Sequence, residues 1–244
     1  MPHHLEKILA AVTALSLAAV TCVSLSGCGG KKAKYTVGIS QLVQHEALDA
    51  ATKGFKDALK EKLGDDIEFD EQNAANDSAT CATIANRFVS NKVDLIMANA
   101  TPALQAAAAA TADIPIVATS ITDYATALEI SDWTGKTGKN ITGSADLAPL
   151  DKQAEMIKEL FPNAKKVGIL YNPGEANSKY QATVVTAALK ELGIEAKEYT
   201  SADSNDLQGV VTKACDEVDV IYIPTDNTMA SNTGIVNNVA EPKK

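Results

Sequence analysis

The chain has 244 residues, enough for one large domain or two of ordinary size, and 45% of them are hydrophobic, enough for a sizeable core. Its formal net charge is −9, and Arg87 is its single arginine. This balance argues against a nucleic-acid-binding protein, because phosphates are bound by faces rich in arginine and lysine.

The N-terminal residues have the layout of a secretory signal. A weakly basic start at Lys7 precedes an apolar run over 8–23, which is short for a membrane-spanning helix of about 20 residues. The following Leu25–Cys28 resembles the lipobox of bacterial lipoproteins, and an ordinary signal peptide with an incidental cysteine is the alternative. We therefore expect a signal peptide over residues 1–27, a lipid anchor on Cys28 and a flexible tether over 28–34.

Strands and helices are expected to alternate through the rest of the chain. Short β-branched runs predict strands, and apolar residues at helical spacing predict the helices between them. In the first half, strands are expected at 34–40, 67–74, 93–100 and 114–120, with helices at 47–64, 78–92 and 102–112. After a helix at 150–164, strands are expected at 165–172, 194–201 and 218–224, with helices at 177–193, at 204–218 and from 229.

The second half of this pattern repeats the first at a distance of about 130 residues. TVGIS is matched by KVGIL, and VDLIMANATPAL, which begins at Val93, is matched by VDVIYIPTDNTMA, which begins at Val218. Repeated strand–helix units predict an α/β protein of two similar, doubly wound parallel-sheet lobes joined by a hinge. We expect the first lobe at 35–143 and the second at 144–244.

The second lobe is expected to be incomplete. In the first copy the next strand begins at Ile114, about 21 residues after Val93, and the same offset from Val218 reaches Val239, which only a few residues follow. The chain is therefore expected to be a truncated product or a fragment, with an exposed edge on its second sheet.

Polar residues follow five of the predicted strands, in the segments SQLVQH, ANATP, TSITD, YNPGEANS and PTDNT. Ligands of open parallel sheets bind beyond the carboxyl ends of the strands. Each segment alone is also explained by turns and helix caps, but five together in two matched lobes favour a cleft. The expected ligand-binding residues are Ser40, Gln41, Asn99, Thr101, Thr119, Ser120, Asn172, Asn177, Ser178, Asp226 and Asn227.

Catalytic and metal-binding patterns are weak. GISQL lacks the closing glycine of a nucleophile elbow, and His45 is the one histidine after the signal. No dinucleotide, Walker or Cys/His ligand motif is present, and Cys81 and Cys215 are expected to be free thiols. We therefore expect no enzymatic activity, no cofactor and no metal.

The lipobox, the two lobes and the motifs QLVQHEALDA, NATPALQA, GSADLAP, YNPGEANS and PTDNT together resemble the solute-binding lipoproteins of ABC importers. Among these they resemble the tryptophan/tyrosine-binding group of the type I periplasmic-binding fold. The resemblance implies a lipid-anchored protein outside the cell membrane that traps a small ligand by hinge closure and delivers it to a membrane permease. A membrane-tethered ligand sensor and a hydrolase on the same scaffold are the alternatives.

A zwitterionic amino acid with an apolar or aromatic side chain is the expected ligand. With Arg87 in the middle of a predicted helix, the carboxylate is expected to bind hydroxyls and backbone N–H groups at helix N-termini, at 100–102 and 177–178. Asp226 is the expected partner of the ammonium group.

Overall fold

The computed structural model describes residues 33–243. The expected signal peptide, the lipid site at Cys28 and most of the tether lie outside the described residues. No helix in the described range is long and apolar enough to cross a membrane.

The first lobe is built on a parallel sheet of five strands in the order β2-β1-β3-β4-β5. The strands are β1 (Tyr35–Gln41), β2 (Ile67–Asn73), β3 (Leu95–Asn99), β4 (Ile116–Ile121) and β5 (Ile141–Ala145). The helices between them are α1 (Glu46–Leu63), α2 (Ser78–Asn91), α3 (Thr101–Ala110) and the short α4 (Tyr124–Ala127).

The second lobe repeats this arrangement with fewer strands. Its sheet has the order β7-β6-β8, which corresponds to β2-β1-β3 of the first. The strands are β6 (Lys166–Tyr171), β7 (Glu195–Thr200) and β8 (Val220–Tyr222), and the helices are α5 (Leu150–Leu160), α6 (Ala176–Glu191), α7 (Ser204–Glu217), α8 (Asn227–Ser231) and α9 (Thr233–Ala240). The expected α/β fold of two parallel-sheet lobes is confirmed, with three strands in the second sheet against five in the first among the described residues.

Strand β5 was not among the predicted elements. It lies in a stretch rich in glycine and threonine, and only Ile141 of its five residues is buried, so it has neither an apolar run nor an alternating pattern. It is held by parallel pairing with β4, and it spans the lobe boundary expected at residues 143–144. Tertiary pairing therefore creates a strand here that local sequence does not specify.

The repeated Val-Asp pair joins neighbouring strands at their amino ends. Oδ2 of Asp94 accepts a hydrogen bond from the backbone N–H of Thr36 at 2.8 Å. In the second lobe, Oδ2 of Asp219 accepts from the N–H groups of Lys165 and Lys166 at 2.8 and 2.9 Å, and these bonds lower the pKa of Asp219. The two copies thus use one carboxylate in the same way, to bind strand N–H groups ahead of the ladder.

Helix ends follow the sequence signals. Asp77 caps α2, with Oδ1 accepting from the N–H of Thr80 at 2.6 Å. Gly64 ends α1 with φ of 54° and ψ of −125°, a backbone conformation open to glycine. Cys81 and Cys215 are free thiols, and burial raises the pKa of Cys81 to about 11, which makes its thiol unreactive at neutral pH.

The core of the first lobe allows a test of close packing. A methyl group on Gly38 in β1 would lie 2.7 to 2.9 Å from ring atoms of Phe88, which is fully buried. Gly38→Ala should therefore destabilise the protein by about 1–3 kcal/mol, because the ring has no space to move into. Gly54→Ala on α1 is the matched control, since nothing lies within 4 Å of its added methyl group, and it should stabilise by about 0.5–1 kcal/mol. Urea denaturation measures both, and equal effects would contradict the packing argument.

Candidate ligand-binding cleft

The carboxyl ends of the central strands bring three predicted residues side by side. Gln41 on β1 pairs with Asn99 on β3, and Asn99 pairs with Thr119 on β4. Oγ of Ser144 on β5 lies 3.2 Å from Oγ1 of Thr119 and extends the row. The first sheet therefore presents a continuous polar edge, as the strand ends predicted.

Two of these side chains also anchor α1 to the sheet. Nε2 of Gln41 donates to Asp49 at 2.6 Å, and Oε1 of Gln41 accepts from Oγ1 of Thr52 at 2.6 Å. Nδ2 of Asn99 donates to the backbone carbonyl of Leu48 at 2.8 Å and to Thr52 at 3.0 Å. Both the nitrogen and the oxygen of the Gln41 amide therefore have protein partners. In Asn99 only the nitrogen has them.

In the second lobe, Asp226 joins the end of β6 to the start of α8. Its Oδ2 accepts from the N–H of Asn172 at 2.7 Å, and its Oδ1 caps α8 by accepting from the N–H of Met229 at 2.8 Å. The side chain of Asn172 donates to the carbonyl of Ala202 and accepts from the N–H of Gly174. Both predicted residues are buried and shape the loops around the cleft.

Glu175, which sequence reasoning missed, is the centre of the second-lobe network. Its Oε1 accepts from the N–H and hydroxyl of Thr228 at 3.0 and 2.9 Å. Its Oε2 accepts from the N–H and side-chain amide of Asn227 at 3.1 and 2.6 Å, and from Nδ2 of Asn177 at 3.1 Å. A glutamate after Pro-Gly in a turn is typical of a solvated loop, so no local signal indicated that it is 3% exposed.

Two carboxyl groups are therefore buried close together in the second lobe. Burial, and then the negative charge of Glu175, raise the pKa of Asp226 to about 6, against the opposing effect of the N–H groups of Asn172 and Met229. Ser178, another predicted residue, is fully buried here and also hydrogen-bonds Asp226. This part of the cleft thus holds two buried carboxyl groups, each surrounded by hydrogen-bond donors.

Four buried polar atoms at the strand ends have no hydrogen-bond partner among the described residues. They are Oγ of Ser40, Oδ1 of Asn99, Oγ1 of Thr101 and Oδ1 of Asn177. All four belong to the predicted set, and the donors of both asparagines are occupied, which fixes the two Oδ1 atoms as free acceptors. Because buried polar atoms are nearly always hydrogen-bonded, these four require polar partners that the described residues do not supply.

The last predicted pair lies at the end of β4. Thr119 and Ser120 are half-buried, and Ser120 has φ of 58°, a left-handed conformation that is uncommon for serine. Ser120 lies in an irregular stretch of β4, where the pairing with β5 shifts register between Ala118 and Ile121. Both residues therefore border the polar edge formed by Gln41 and Asn99.

Two hydrogen bonds cross between the lobes. Nε2 of His45 lies 3.3 Å from Oδ1 of Asn227, and Nδ2 of Asn76 donates to Oγ1 of Thr228 at 2.7 Å. His45 and Asn76 precede α1 and α2, at the carboxyl ends of β1 and β2. The polar edges of the two sheets thus face one another.

Over residues 33–243, no group of three or more His, Cys, Asp or Glu side chains could hold a metal ion.

The buried acid pair predicts a pH dependence of stability. Because the pKa of Asp226 is raised to about 6 from its ordinary value of 3.8, its ionisation is unfavourable in the folded protein. Its contribution to stability is fully present below pH of about 3.8 and is lost as the pH rises through about 6. Wild type should therefore gain about 1–3 kcal/mol relative to Asp226→Asn between pH 7 and pH 4, whatever the variant's overall stability. The free energy of unfolding is measured by urea denaturation. If it changed equally with pH in wild type and in Asp226→Asn, the raised pKa of Asp226 would be contradicted.

Comparisons with known proteins agree with this geometry. A family model described as ABC transporter substrate binding protein matches residues 36–244. The chain is 42% identical over 216 residues to a tyrosine-binding protein of Clostridioides difficile (strain R20291), covering 87% of this chain and 62% of that relative's length.

Two solved structures are similar over 86% of this chain and 72% of theirs. The ABC domain in complex with L-Trp from Streptococcus pneumonia has a TM-score of 0.81 at 34% identity. The ligand-free, open structure of a substrate binding protein with adhesive properties from Clostridium difficile has a TM-score of 0.57 at 39% identity. With the two lobes and the cleft described above, these matches show that the chain belongs to the ABC transporter substrate-binding protein family.

Proposed function

We propose that this protein is the extracytoplasmic binding component of an ABC importer, which captures an amino acid between its lobes and delivers it to a membrane permease. The observation that carries the proposal is the set of four unpartnered polar atoms, on Ser40, Asn99, Thr101 and Asn177. They come from both lobes and are buried at the strand ends where ligands of parallel sheets bind. A polar molecule held between the lobes would satisfy them together.

The chemistry of these atoms fits a zwitterion. The hydroxyls of Ser40 and Thr101 can donate to a carboxylate, and Thr101 begins the ten-residue helix α3, whose dipole favours negative charge. The free carbonyl oxygens of Asn99 and Asn177 can accept from an ammonium group. Asp226 adds a negative charge in the second lobe, and its two oxygens keep one lone pair between them beyond the bonds from Asn172, Met229 and Ser178.

The relatives support an aromatic side chain on this ligand. One is a tyrosine-binding protein and another is a complex with L-Trp. The TM-score is higher to the L-Trp complex than to the open, ligand-free structure, although sequence identity is slightly lower and the coverage is equal. Since similar sequences have similar lobes, the difference supports lobes arranged as in the complex. L-Tryptophan and L-tyrosine are therefore the first ligands to test.

The contacts of Ser40 favour binding over hydrolysis. A serine nucleophile requires a hydrogen-bonded base, and Oγ of Ser40 has no partner among the described residues. The ring of His45 instead contacts Asn227 across the cleft. The hydrolase alternative therefore lacks support from these contacts.

Calorimetry with L-tryptophan and L-tyrosine tests the ligand site. Thr101→Val keeps the shape of the side chain but removes the hydroxyl, so we expect affinity to fall by about 10- to 100-fold through loss of a hydrogen bond to a carboxylate. Thr186→Val is the matched control, because Oγ1 of Thr186 is also buried and unpartnered but lies in the middle of α6. It should leave affinity unchanged. Wild type that binds neither amino acid, or Thr101→Val that binds as tightly as wild type, would refute the assignment.

A lipid anchor on Cys28 would hold the protein at the outer face of the membrane, where the permease takes up the ligand. Cys28→Ala removes the thiol, so the variant should move from the membrane to the soluble fraction on cell fractionation. Wild type and variant in the same soluble proportion would rule out the anchor. Blotting both fractions from cells that express each form provides the measurement.

A further inference from the structure

The two hydrogen bonds that cross the cleft are made by protein groups alone. On the first lobe they involve His45 and Asn76, and on the second lobe Asn227 and Thr228, which begin α8. His45, Asn76 and Asn227 are half-buried, and Thr228 is buried. None is among the residues with unpartnered buried atoms. We call His45, Asn76, Asn227 and Thr228 the interlobe latch.

Glu175 determines which latch groups donate and which accept. Nδ2 of Asn227 donates to Oε2 of Glu175 at 2.6 Å, so Oδ1 of Asn227 faces His45 as an acceptor. The hydroxyl of Thr228 gives its one proton to Oε1 of Glu175 at 2.9 Å. It is thereby left to accept from Nδ2 of Asn76. A carboxylate can only accept, so Glu175 makes both second-lobe groups acceptors for first-lobe donors.

The orientation is set inside the second lobe, before the lobes meet. Glu175 is buried and also binds the backbone N–H groups of Asn227 and Thr228, which holds the start of α8 against the end of β6. Oγ1 of Thr228 further accepts from Nδ2 of Asn172 at 2.8 Å. The acceptors are therefore preorganised, and little conformational entropy is lost when His45 and Asn76 approach.

We infer that Glu175 is a positioning residue that presents Asn227 and Thr228 to His45 and Asn76, so that the latch closes the lobes without ligand. The inference rests on the proposed function, because the cleft that closes is the proposed amino-acid site. Ligand then enters only during transient opening, and the open fraction limits the rate of association. The latch thus regulates both capture and release.

Stopped-flow kinetics with L-tryptophan, and small-angle scattering without any ligand, test the latch. Glu175→Gln has one acceptor oxygen and brings two donors, so it cannot orient both Asn227 and Thr228. We expect the radius of gyration of the ligand-free variant to increase. We expect the association and dissociation rate constants both to rise, each by about 3- to 10-fold, as for loss of one neutral hydrogen bond. A purely structural defect would not accelerate association.

First-lobe variants probe the same latch without altering Glu175. Asn76 has φ of 64°, so Asn76→Gly removes the amide without backbone strain. His45→Ala removes the donor, and His45→Gln supplies another one and should restore wild-type rates. Combined with Glu175→Gln, each loss should have less than its separate effect, because the partner is already misoriented. These variants also decide the case if Glu175→Gln does not fold.

Asp203→Asn is the matched control. Asp203 is an exposed cap of α7 in the same lobe, and it contacts the N–H of Asn205 away from the cleft. It should leave the rates and the scattering unchanged. Ligand-free wild type that scatters as an open molecule, rates unaffected by Glu175→Gln, or fully additive double variants would each overturn the latch. Failure of wild type to bind L-tryptophan or L-tyrosine, with scattering that still responds to the latch variants, would instead refute the proposed ligand alone.

Discussion

Parallel pairing of the strands is the constraint on which the rest of this structure depends. In each sheet all strands point the same way, so their carboxyl ends and the starts of the following helices meet at one edge. The backbone groups at that edge have no partner in the ladder and must find one among side chains. The polar residues that end each strand serve this need, and the same requirement makes the edge a binding surface.

Carboxyl groups meet this need at both ends of the sheets, with opposite consequences. Asp219 lies at the exposed amino end, where N–H donors lower its pKa, whereas Asp226 lies at the buried carboxyl end, where desolvation and Glu175 raise its pKa to about 6. A buried acid pair is costly unless donors surround it, and Glu175 alone accepts five hydrogen bonds. The cleft therefore combines neutral acceptors, a negative region and groups oriented for contact between the lobes.

The residues expected at the ligand site have two kinds of contact in the structure. Asn99, Thr101 and Asn177 have unpartnered atoms suited to a ligand, but Gln41 and Asn172 have protein partners that hold loops. Both roles use the same residue types at the same strand ends, so composition cannot distinguish them. The distinction depends on which neighbours the fold brings within hydrogen-bond distance.

The sequence by itself determined the alternation of strands and helices, the repeat of two α/β lobes and the polar strand ends, because these follow from local periodicity and turn chemistry. Only the tertiary structure revealed β5, which has little apolar character and exists through pairing with β4. Only it revealed the burial of Glu175 and the contacts of His45 and Asn76 with the second lobe. Those contacts join residues 182 and 152 positions apart in the chain, and no local pattern encodes such a distance.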